Sequence, residues 1–388
     1  MKRMLVLLAV MALLVPAFAH GATKVKIGFV NSITGPEAPI GENLSNGVTL
    51  ALEDLKKKGI DVEMIKEDDT GKPEKAMAAF EKLATRDNVA GIVGPYTSKC
   101  AAAISKLAEK YKTPLLIPVA SKEDITKQGL KWTYRLSATT DDYATILLSM
   151  AQVLGKPKTI AIINENTDFG TSGAKSAKEY ATKHGLTVVA EEAYAPGSPD
   201  YRSTLASIKA KNPNIVFMVS YVADAILLMR QSREIGLSPQ AFLGAGAGFA
   251  TVAFAKETDI SNNVFSSTQW TSDVNWPGAK EFATRYRTRF GKEPTYHAAT
   301  AYESMIIMAQ TASKAGNPQR TRDMLKRGKW NGIMGEVRFA DFDGYTNQNR
   351  HQMLVEQIQN GVHETVYPPQ YVAKKPVYPF PGWNAGGK

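Results

Sequence analysis

Cysteine is almost missing from the 388-residue chain, whose only example is Cys100. A single cysteine cannot form an internal disulfide or a cysteine-rich metal site. Cys100 shares helical spacing with Ile104 and Leu107, which indicates one buried helix face. We therefore interpret Cys100 as a small core residue rather than a reactive thiol.

Histidine is also scarce, and the signatures of several enzyme classes are missing. The five histidines are scattered, with no pair at metal-ligand spacing on a helix. The chain contains neither Gly-x-x-x-x-Gly-Lys nor Gly-x-Ser-x-Gly, so a P-loop and a hydrolase nucleophile elbow are excluded. The glycine-rich run 244–248 has Phe249 where a dinucleotide fingerprint needs glycine. We predict no catalytic residue, no metal and no cofactor, and keep a nucleotide-dependent enzyme only as the least favoured alternative.

Long apolar runs are absent except at the amino terminus. Lys2 and Arg3 precede an apolar stretch from Met4 to Val15, which is too short to span a bilayer comfortably. Ala17-Phe18-Ala19 follows and matches the small-x-small pattern of a secretory cleavage site. We predict a signal peptide at 1–19, cleaved near Ala19, and hence a periplasmic protein.

The charge is unbalanced but not concentrated. Lys and Arg number 47 against 37 Asp and Glu, which gives a net charge of +10. No dense basic stripe with interleaved aromatic residues occurs, so nucleic acid is not an expected partner. A basic exported protein that meets an acidic membrane surface is the preferred interpretation.

Strand-like and helix-like segments alternate along the body of the chain. Apolar strands are expected at 25–30, 62–65, 89–93 and 114–117, and again at 159–163, 186–190, 215–219 and 241–244. Each is followed by an amphipathic helical pattern, which predicts parallel sheets covered by helices. Long helices, short strands and a Pro- and Tyr-rich tail follow Gln269. The economical interpretation is an α/β protein with two doubly wound lobes that exchange chain several times around a cleft.

This interpretation assigns boundaries. The expected first lobe is 20–139 plus 270–334, the second is 140–269 plus 335–362, and 363–388 is a tail that packs back on the lobes. Contact of the tail with a partner is the alternative.

The loops that follow the strands mix small residues with hydroxyls and aromatics. In the first lobe they include Tyr96 and the run 118–121, and in the second lobe Tyr221 and the run 244–248. Ligands in open α/β sheets bind beyond the carboxyl ends of the strands, at helix N-termini. Two such edges facing each other would form a clamp that closes about a hinge.

The ordered set of local motifs resembles one family over nearly the whole chain after residue 19. The motifs include Thr34-Gly35-Pro36, Val93-Gly94-Pro95 with Ser98, Arg135, and Phe169-Gly170. The chain resembles the solute-binding proteins of branched-chain amino acid ABC transporters, the leucine/isoleucine/valine-binding family. The resemblance implies the type I periplasmic-binding fold with three hinge crossings, a membrane permease as partner, and a monomer that binds a small molecule without catalysis.

The resemblance also implies a set of ligand-binding residues. In the family a carboxylate is held by hydroxyls and amides at positions that match Ser98, Val119, Ala120 and Ser121. Contacts to the rest of the ligand match Ile40, Phe169 and Tyr221. Tyr96 and Ala247, in loops that follow strands, are predicted to line the same site.

One position departs from the family pattern. Amino-acid-binding members place a carboxylate for the ligand ammonium where this chain has Gly246, and a buried ammonium without a countercharge is costly. Either Glu37, Asp168 or Asp224 replaces it, or the ligand has no ammonium; Asp168 and Asp224 could instead cap helices. We favour an organic acid, aromatic or aliphatic, over a standard amino acid. A ligand-sensing module for a membrane receptor is the alternative function.

Overall fold

Four chain segments build two lobes. The computed structural model describes residues 23–383, so the predicted signal peptide lies outside the described residues. The first segment contains β1 Thr23–Asn31, α1 Ala38–Lys57, β2 Ile60–Asp68, α2 Pro73–Thr85, β3 Ile92–Val93, α3 Ser98–Tyr111, β4 Leu115–Ile117 and β5 Thr133–Arg135. The second contains α4 Thr140–Gly155, β6 Thr159–Glu165, α5 Asp168–Lys183, β7 Thr187–Tyr194, α6 Arg202–Ala210, β8 Ile215–Val219, α7 Val222–Glu234, β9 Ala241–Gly244, α8 Val252–Ala255, α9 Thr258–Ser261 and β10 Phe265–Thr268.

The chain then returns to each lobe once more. The third segment contains α10 Ala279–Phe290, α11 Tyr296–Ala315, α12 Pro318–Arg327, β11 Trp330–Gly332, β12 Gly335–Val337, β13 Ala340–Phe342 and β14 Tyr345–Gln348. The fourth contains β15 Leu354–Gln359 and β16 Val362–Tyr367. Three crossings therefore connect the lobes, after β5, β10 and β14.

The two sheets share the order of their first five strands and differ in the sixth, because β14 pairs parallel with β5 whereas β15 pairs antiparallel with β10. The first sheet has the order β2-β1-β3-β4-β5-β14-β13 and the second β7-β6-β8-β9-β10-β15-β16. In both sheets the five strands that precede the crossing are parallel. The predicted α/β fold of two doubly wound lobes with three crossings is confirmed.

One predicted boundary is wrong. The sequence places residues 335–362 in the second lobe, but β13 and β14 extend the first sheet, where Gln348 pairs with Arg135. The apolar pattern of strands this short does not indicate which sheet they join. The assignment depends on a buried contact between side chains 213 residues apart, from Arg135 Nε to Gln348 Oε1.

The cores follow directly from the sequence pattern. Leu44, Val48, Ala51 and Leu55 recur at helical spacing on α1 and are buried against the first sheet and α11. Strand β8 is a continuous apolar run whose five residues are all buried, as expected where helices cover both faces of a parallel sheet. Cys100 lies in the core as predicted, and burial raises the pKa of its thiol to about 12.

Buried amide side chains join the three crossings. The Ala138 backbone N–H in the first crossing donates to Gln269 Oε1 in the second, at 2.8 Å. Gln348 Nε2, at the start of the third crossing, donates to the carbonyl of Ser137 at 2.8 Å. The crossings therefore form one connected hinge rather than three independent linkers.

The tail packs mainly on the second lobe and also contacts the first. Phe380 and Trp383 lie against Phe242 with ring centroids 5.3 and 5.5 Å away. Trp383 Nε1 donates to the carbonyl of Leu237 at 2.8 Å. Tyr371 reaches the first lobe, where its ring meets the edge of Trp276. None of the described helices is long and apolar enough to cross a membrane.

We expect Trp383→Ala to lower the free energy of unfolding by about 1–2 kcal/mol, because it removes aromatic packing and one hydrogen bond. Denaturant unfolding followed by circular dichroism measures the change. Val372→Ala, at a position that is 41% exposed, is the control and should change stability by less than about 0.5 kcal/mol. Equal stability of both variants would show that the aromatic end of the tail contributes nothing to the fold.

Candidate functional site

A small cavity lies where the strand ends of the two lobes face each other. Eight of the ten predicted site residues line it, and its volume is about 10 Å³, close to the room needed for one water molecule. They are Tyr96, Ser98, Val119, Ala120, Ser121, Phe169, Tyr221 and Ala247. The lobes are thus closed on each other here, and a solute can reach the cavity only when they separate.

The first lobe contributes hydroxyls and a helix N-terminus. Ser98 is the first residue of α3, where backbone N–H groups lack intrahelical partners. Ser121 lies in the loop after β4, the strand next to β3. The Lys122 N–H donates to Ser98 Oγ at 3.2 Å, so the loops after β3 and β4 are in contact. This arrangement suits an anionic group, because helix N-termini carry partial positive charge.

The second lobe contributes stacked aromatic rings. The centroids of Phe169 and Tyr221 are 5.3 Å apart, and Tyr221 lies 5.6 Å from Tyr96 of the first lobe. Glu165 Oε2 accepts the Tyr221 N–H at 3.0 Å and fixes the backbone of this residue. A Cβ at Gly248 would lie 2.6 Å from the Tyr221 carbonyl carbon, so only glycine allows the loop after β9 to pack here.

Two lining residues were missed by sequence reasoning. Tyr143 and Tyr296 complete the wall of the cavity, and their hydroxyls accept hydrogen bonds from Gln269 Nε2 at 2.6 Å and the Ala247 N–H at 3.1 Å. The positions of the two tyrosines in the chain could have indicated this role. Tyr143 lies in the first turn of α4, which follows the first crossing, and Tyr296 begins α11, which follows the second crossing and α10.

Two predicted residues do not line the cavity. Ile40 lies on α1 in the core of the first lobe and is 2% exposed. Gly246 lies behind the wall, and a Cβ there would be 3.4 Å from both Tyr143 and Tyr296. Its φ of +61° is a conformation in which other residues are strained.

The acidic residues proposed to replace a carboxylate at Gly246 are used elsewhere. Asp168 pairs with Lys122, with Nζ and Oδ1 2.6 Å apart. Asp224 accepts the N–H of Gly197 and the hydroxyl of Tyr201. Neither caps its helix: the cap of α5 is Thr167, and the Tyr221 side chain makes no capping bond to α7.

Glu37, the third of the proposed acids, and Glu165 lie near the tyrosines but do not line the cavity. Burial, with Glu165 and Asp224 nearby, raises the pKa of Glu37 to about 8. Burial also raises the pKa of Glu165 to about 7, opposed by hydrogen bonds from Thr167 and Tyr221. At neutral pH these groups therefore carry less negative charge than exposed carboxylates.

The titratable side chains of the site form no metal-binding cluster among residues 23–383. No cluster of three or more His, Cys, Asp or Glu side chains there could bind a metal ion. His297 lies edge-on to Tyr96, and burial lowers its pKa to about 3, so its ring is neutral at physiological pH. The cavity instead combines polar N–H and hydroxyl groups in one lobe with aromatic surface across it.

We expect Lys122→Met to weaken solute binding by about 2–5-fold, because the Lys122–Asp168 pair joins the lobes beside the cavity and partly exposed pairs contribute up to about 1 kcal/mol. The loss should appear as faster dissociation in stopped-flow measurements. Lys178→Met is the matched control, since it breaks a pair with Glu191 inside the second lobe. A dissociation rate that is unchanged by Lys122→Met would show that this pair does not hold the lobes together.

The chain is similar to known proteins over nearly its whole length. A family model described as periplasmic binding protein matches residues 24–362. Leu/Ile/Val-binding protein homolog 7 of Brucella melitensis is 28% identical, over 95% of this chain and 97% of that protein.

Solved structures share the fold. The branched-chain amino acid transporter substrate-binding protein LivJ of Streptococcus pneumoniae, in complex with isoleucine, has a TM-score of 0.81 at 24% identity, covering 89% of this chain and all of that one. A solute-binding protein of an ABC transporter from Rhodopseudomonas palustris, in complex with 3,4-dihydroxybenzoic acid, has a TM-score of 0.78 at 21% identity, covering 91% and 99%.

Proposed function

The chain belongs to the periplasmic binding protein family, and from this premise we propose that it is the extracytoplasmic solute-binding protein of an ABC importer. It acts as a monomer in the periplasm, binds one small solute by hinge closure, and delivers it unchanged to a membrane permease. Two solute-binding proteins of known structure that share this fold have isoleucine and 3,4-dihydroxybenzoic acid bound, respectively, which supports a small organic solute.

The observation that supports an anionic solute is the convergence of helix N-termini on the central cavity. Ser98 begins α3, Phe169 is in the first turn of α5, Tyr221 precedes α7, and Tyr296 begins α11. Their partial positive charges favour a carboxylate. No acidic side chain lines the cavity to oppose it.

The same cavity favours an acid without an ammonium group next to its carboxylate. Amino-acid-binding members of the family that this chain resembles have a carboxylate at the position of Gly246, where this chain has no side chain. Asp168 pairs instead with Lys122, and Asp224 accepts the Gly197 N–H. Tyr96, Tyr143, Phe169, Tyr221 and Tyr296 supply aromatic surface on several sides, and offset or edge-on rings pack well against another ring. We therefore propose an aromatic carboxylate as the preferred solute class.

A thermal-shift screen tests this proposal. Benzoate and hydroxybenzoates should raise the unfolding midpoint in a concentration-dependent way, because a ligand that binds only the folded state stabilises it. Leucine, valine and isoleucine serve as matched amino acids, and benzyl alcohol as an aromatic compound without the carboxylate. Stabilisation by leucine with none by any simple acid would overturn the solute class. Chemical conversion of a bound acid would overturn the proposed function.

A further inference from the structure

A second and larger cavity lies between the lobes on the other side of Tyr296. Its volume is about 330 Å³, within the usual range for small-molecule sites. The second crossing, the loop between α10 and α11, and the β15–β16 hairpin enclose it. Tyr296 lines both this cavity and the central one, so one aromatic side chain separates them.

A buried carboxylate lies in the wall of this cavity. The Glu356 side chain is 7% exposed, and its Oε1 lies 3.0 Å from His363 Nδ1. The angle between them is poor, and Oε1 accepts no directed hydrogen bond within residues 23–383. A buried carboxylate oxygen without such a bond is unfavourable, and an N–H donor in the cavity would relieve this cost.

The charge around the cavity is opposite in sign to that of the whole chain. Four carboxylates line it, those of Asp273, Glu293, Glu356 and Glu364, against two basic groups, Arg287 and His363, although the chain carries +10.

Two of these carboxylates are already paired with strong bases. Arg287 Nε lies 2.7 Å from Glu293 Oε1, and Lys374 lies 3.3 Å from Glu364. Asp273 accepts the hydroxyls of Thr271 and Thr365, and Glu356 faces only His363. Glu356 and Asp273 therefore have no Lys or Arg partner among residues 23–383, and the only basic group that faces Glu356 there is the His363 ring.

The remaining walls suit the body of an organic cation. Trp270 and Tyr296 present aromatic rings, and Val252 and Ala255 add aliphatic surface. A cation held against aromatic faces gains a further electrostatic attraction. The combination of a buried carboxylate and aromatic walls favours an alkylammonium over a bare metal ion, which needs several oxygen ligands.

We propose that this cavity is a second binding site, for a small organic ammonium ion held by Glu356 against Trp270 and Tyr296. The ammonium belongs either to a separate solute or to the far end of the molecule bound in the central cavity, and both sources present the same group to Glu356. Because both lobes contribute walls, binding here also favours lobe closure.

Calorimetric titration of the purified protein with n-butylammonium tests the site. Glu356→Gln should weaken binding by about tenfold or more, since a hydrogen bond to a charged group contributes about 1.5–3 kcal/mol. Glu364→Gln is the matched control in the same cavity and should stay within about twofold, because Lys374 already neutralises that carboxylate. Val252→Phe, at a partly exposed position, should abolish binding by filling the cavity while leaving the unfolding midpoint near that of the wild type.

The pH dependence provides a second readout. Burial opposes protonation of His363, but Glu356 outweighs it and raises the pKa of this residue above 6.5. Protonated His363 competes with the ammonium for Glu356; the other charged groups that line the cavity are Asp273, Glu293, Glu364 and Arg287. Affinity for n-butylammonium should therefore rise from pH 6 to pH 8, whereas n-butanol, if it binds at all, should show no such rise.

A third set of titrations separates the two sources. Binding of n-butylammonium both alone and with benzoate present indicates a separate solute. Binding only of 6-aminohexanoate, lost in Glu356→Gln, indicates the far end of one molecule. Equal affinity of the wild type, Glu356→Gln and Glu364→Gln for every amine, or no binding of any amine at millimolar concentration, would overturn the second site without affecting the carboxylate screen.

Discussion

Tyr221→Ala is expected to weaken solute binding by about 30–100-fold while the protein stays folded. Tyr221 is the aromatic residue through which the second lobe meets the first, with Phe169 on one side and Tyr96 on the other. The Ser98 N–H, one of the groups proposed to hold the carboxylate, faces the Tyr221 hydroxyl. Tyr221 therefore lies where the anionic and aromatic halves of the cavity meet.

The magnitude follows from the residue type and its position. Truncation of a central aromatic residue at an interface commonly costs about 2 kcal/mol or more, and 1.4 kcal/mol is a factor of ten in affinity. The fold should survive because Tyr221 is only partly buried and its backbone contact to Glu165 does not depend on the ring.

Isothermal titration calorimetry with the best acid from the screen measures the effect. Tyr221→Phe keeps the ring and should lose only a few-fold, which separates the ring from the hydroxyl. Tyr111→Ala is the control, since that tyrosine bonds Glu81 on the surface of the first lobe. Wild-type affinity in Tyr221→Ala would mean that the solute does not bind between these rings.

Most of the fold could be predicted because it depends on local patterns. The alternation of apolar strands with amphipathic helices is visible in windows of ten to twenty residues, as in β8 and α1. Parallel pairing and the position of the ligand-facing loops then follow from general rules on α/β sheets. The site residues that these rules placed at strand ends, such as Ser98, Ser121 and Phe169, do line one cavity.

The errors have a common cause, which is contact between distant parts of the chain. Strand β14 joins the first sheet through Gln348, and no pattern within the strand indicates this partner. Tyr296 reaches the cavity because α11 returns to the first lobe after the second crossing. Ile40 could not be placed by resemblance alone, because the rotation of α1 sets whether it faces the core or the cleft.

The closed arrangement also indicates which contacts oppose opening. Lys122 and Asp168 pair across the lobes, the Ala247 N–H donates to Tyr296, and the rings of Tyr96 and Tyr221 meet. Shifting a clamp from 1:99 to 99:1 in favour of closure takes roughly 5.5 kcal/mol of differential binding. A carboxylate that accepts two or three hydrogen bonds, at about 1.5–3 kcal/mol each, is sufficient for this shift.

Closure also requires a hinge that keeps its shape, and Arg135 is the residue on which this depends most. Its guanidinium is completely buried, and burial lowers its pKa to about 10, so it remains charged at neutral pH. Within the described chain it forms no ion pair. Instead it donates to Gln348 Oε1 at 2.6 Å, to the Lys122 carbonyl at 2.6 Å and to Thr126 Oγ1 at 2.7 Å.

Arg135→Met is therefore expected to lower the free energy of unfolding by about 3 kcal/mol, because it leaves buried acceptors in the β4–β5 loop and at Gln348, where the third crossing begins, without their charged donor. Binding should weaken as well, since the Lys122 carbonyl belongs to the loop that carries Ser121. Arg320→Met replaces an exposed arginine with no side-chain hydrogen bond among the described residues and should cost less than about 0.5 kcal/mol. Denaturant unfolding and calorimetry on the same samples separate the two effects. A stability loss below about 1 kcal/mol would show that Gln269 and Gln348 hold the crossings together without the arginine.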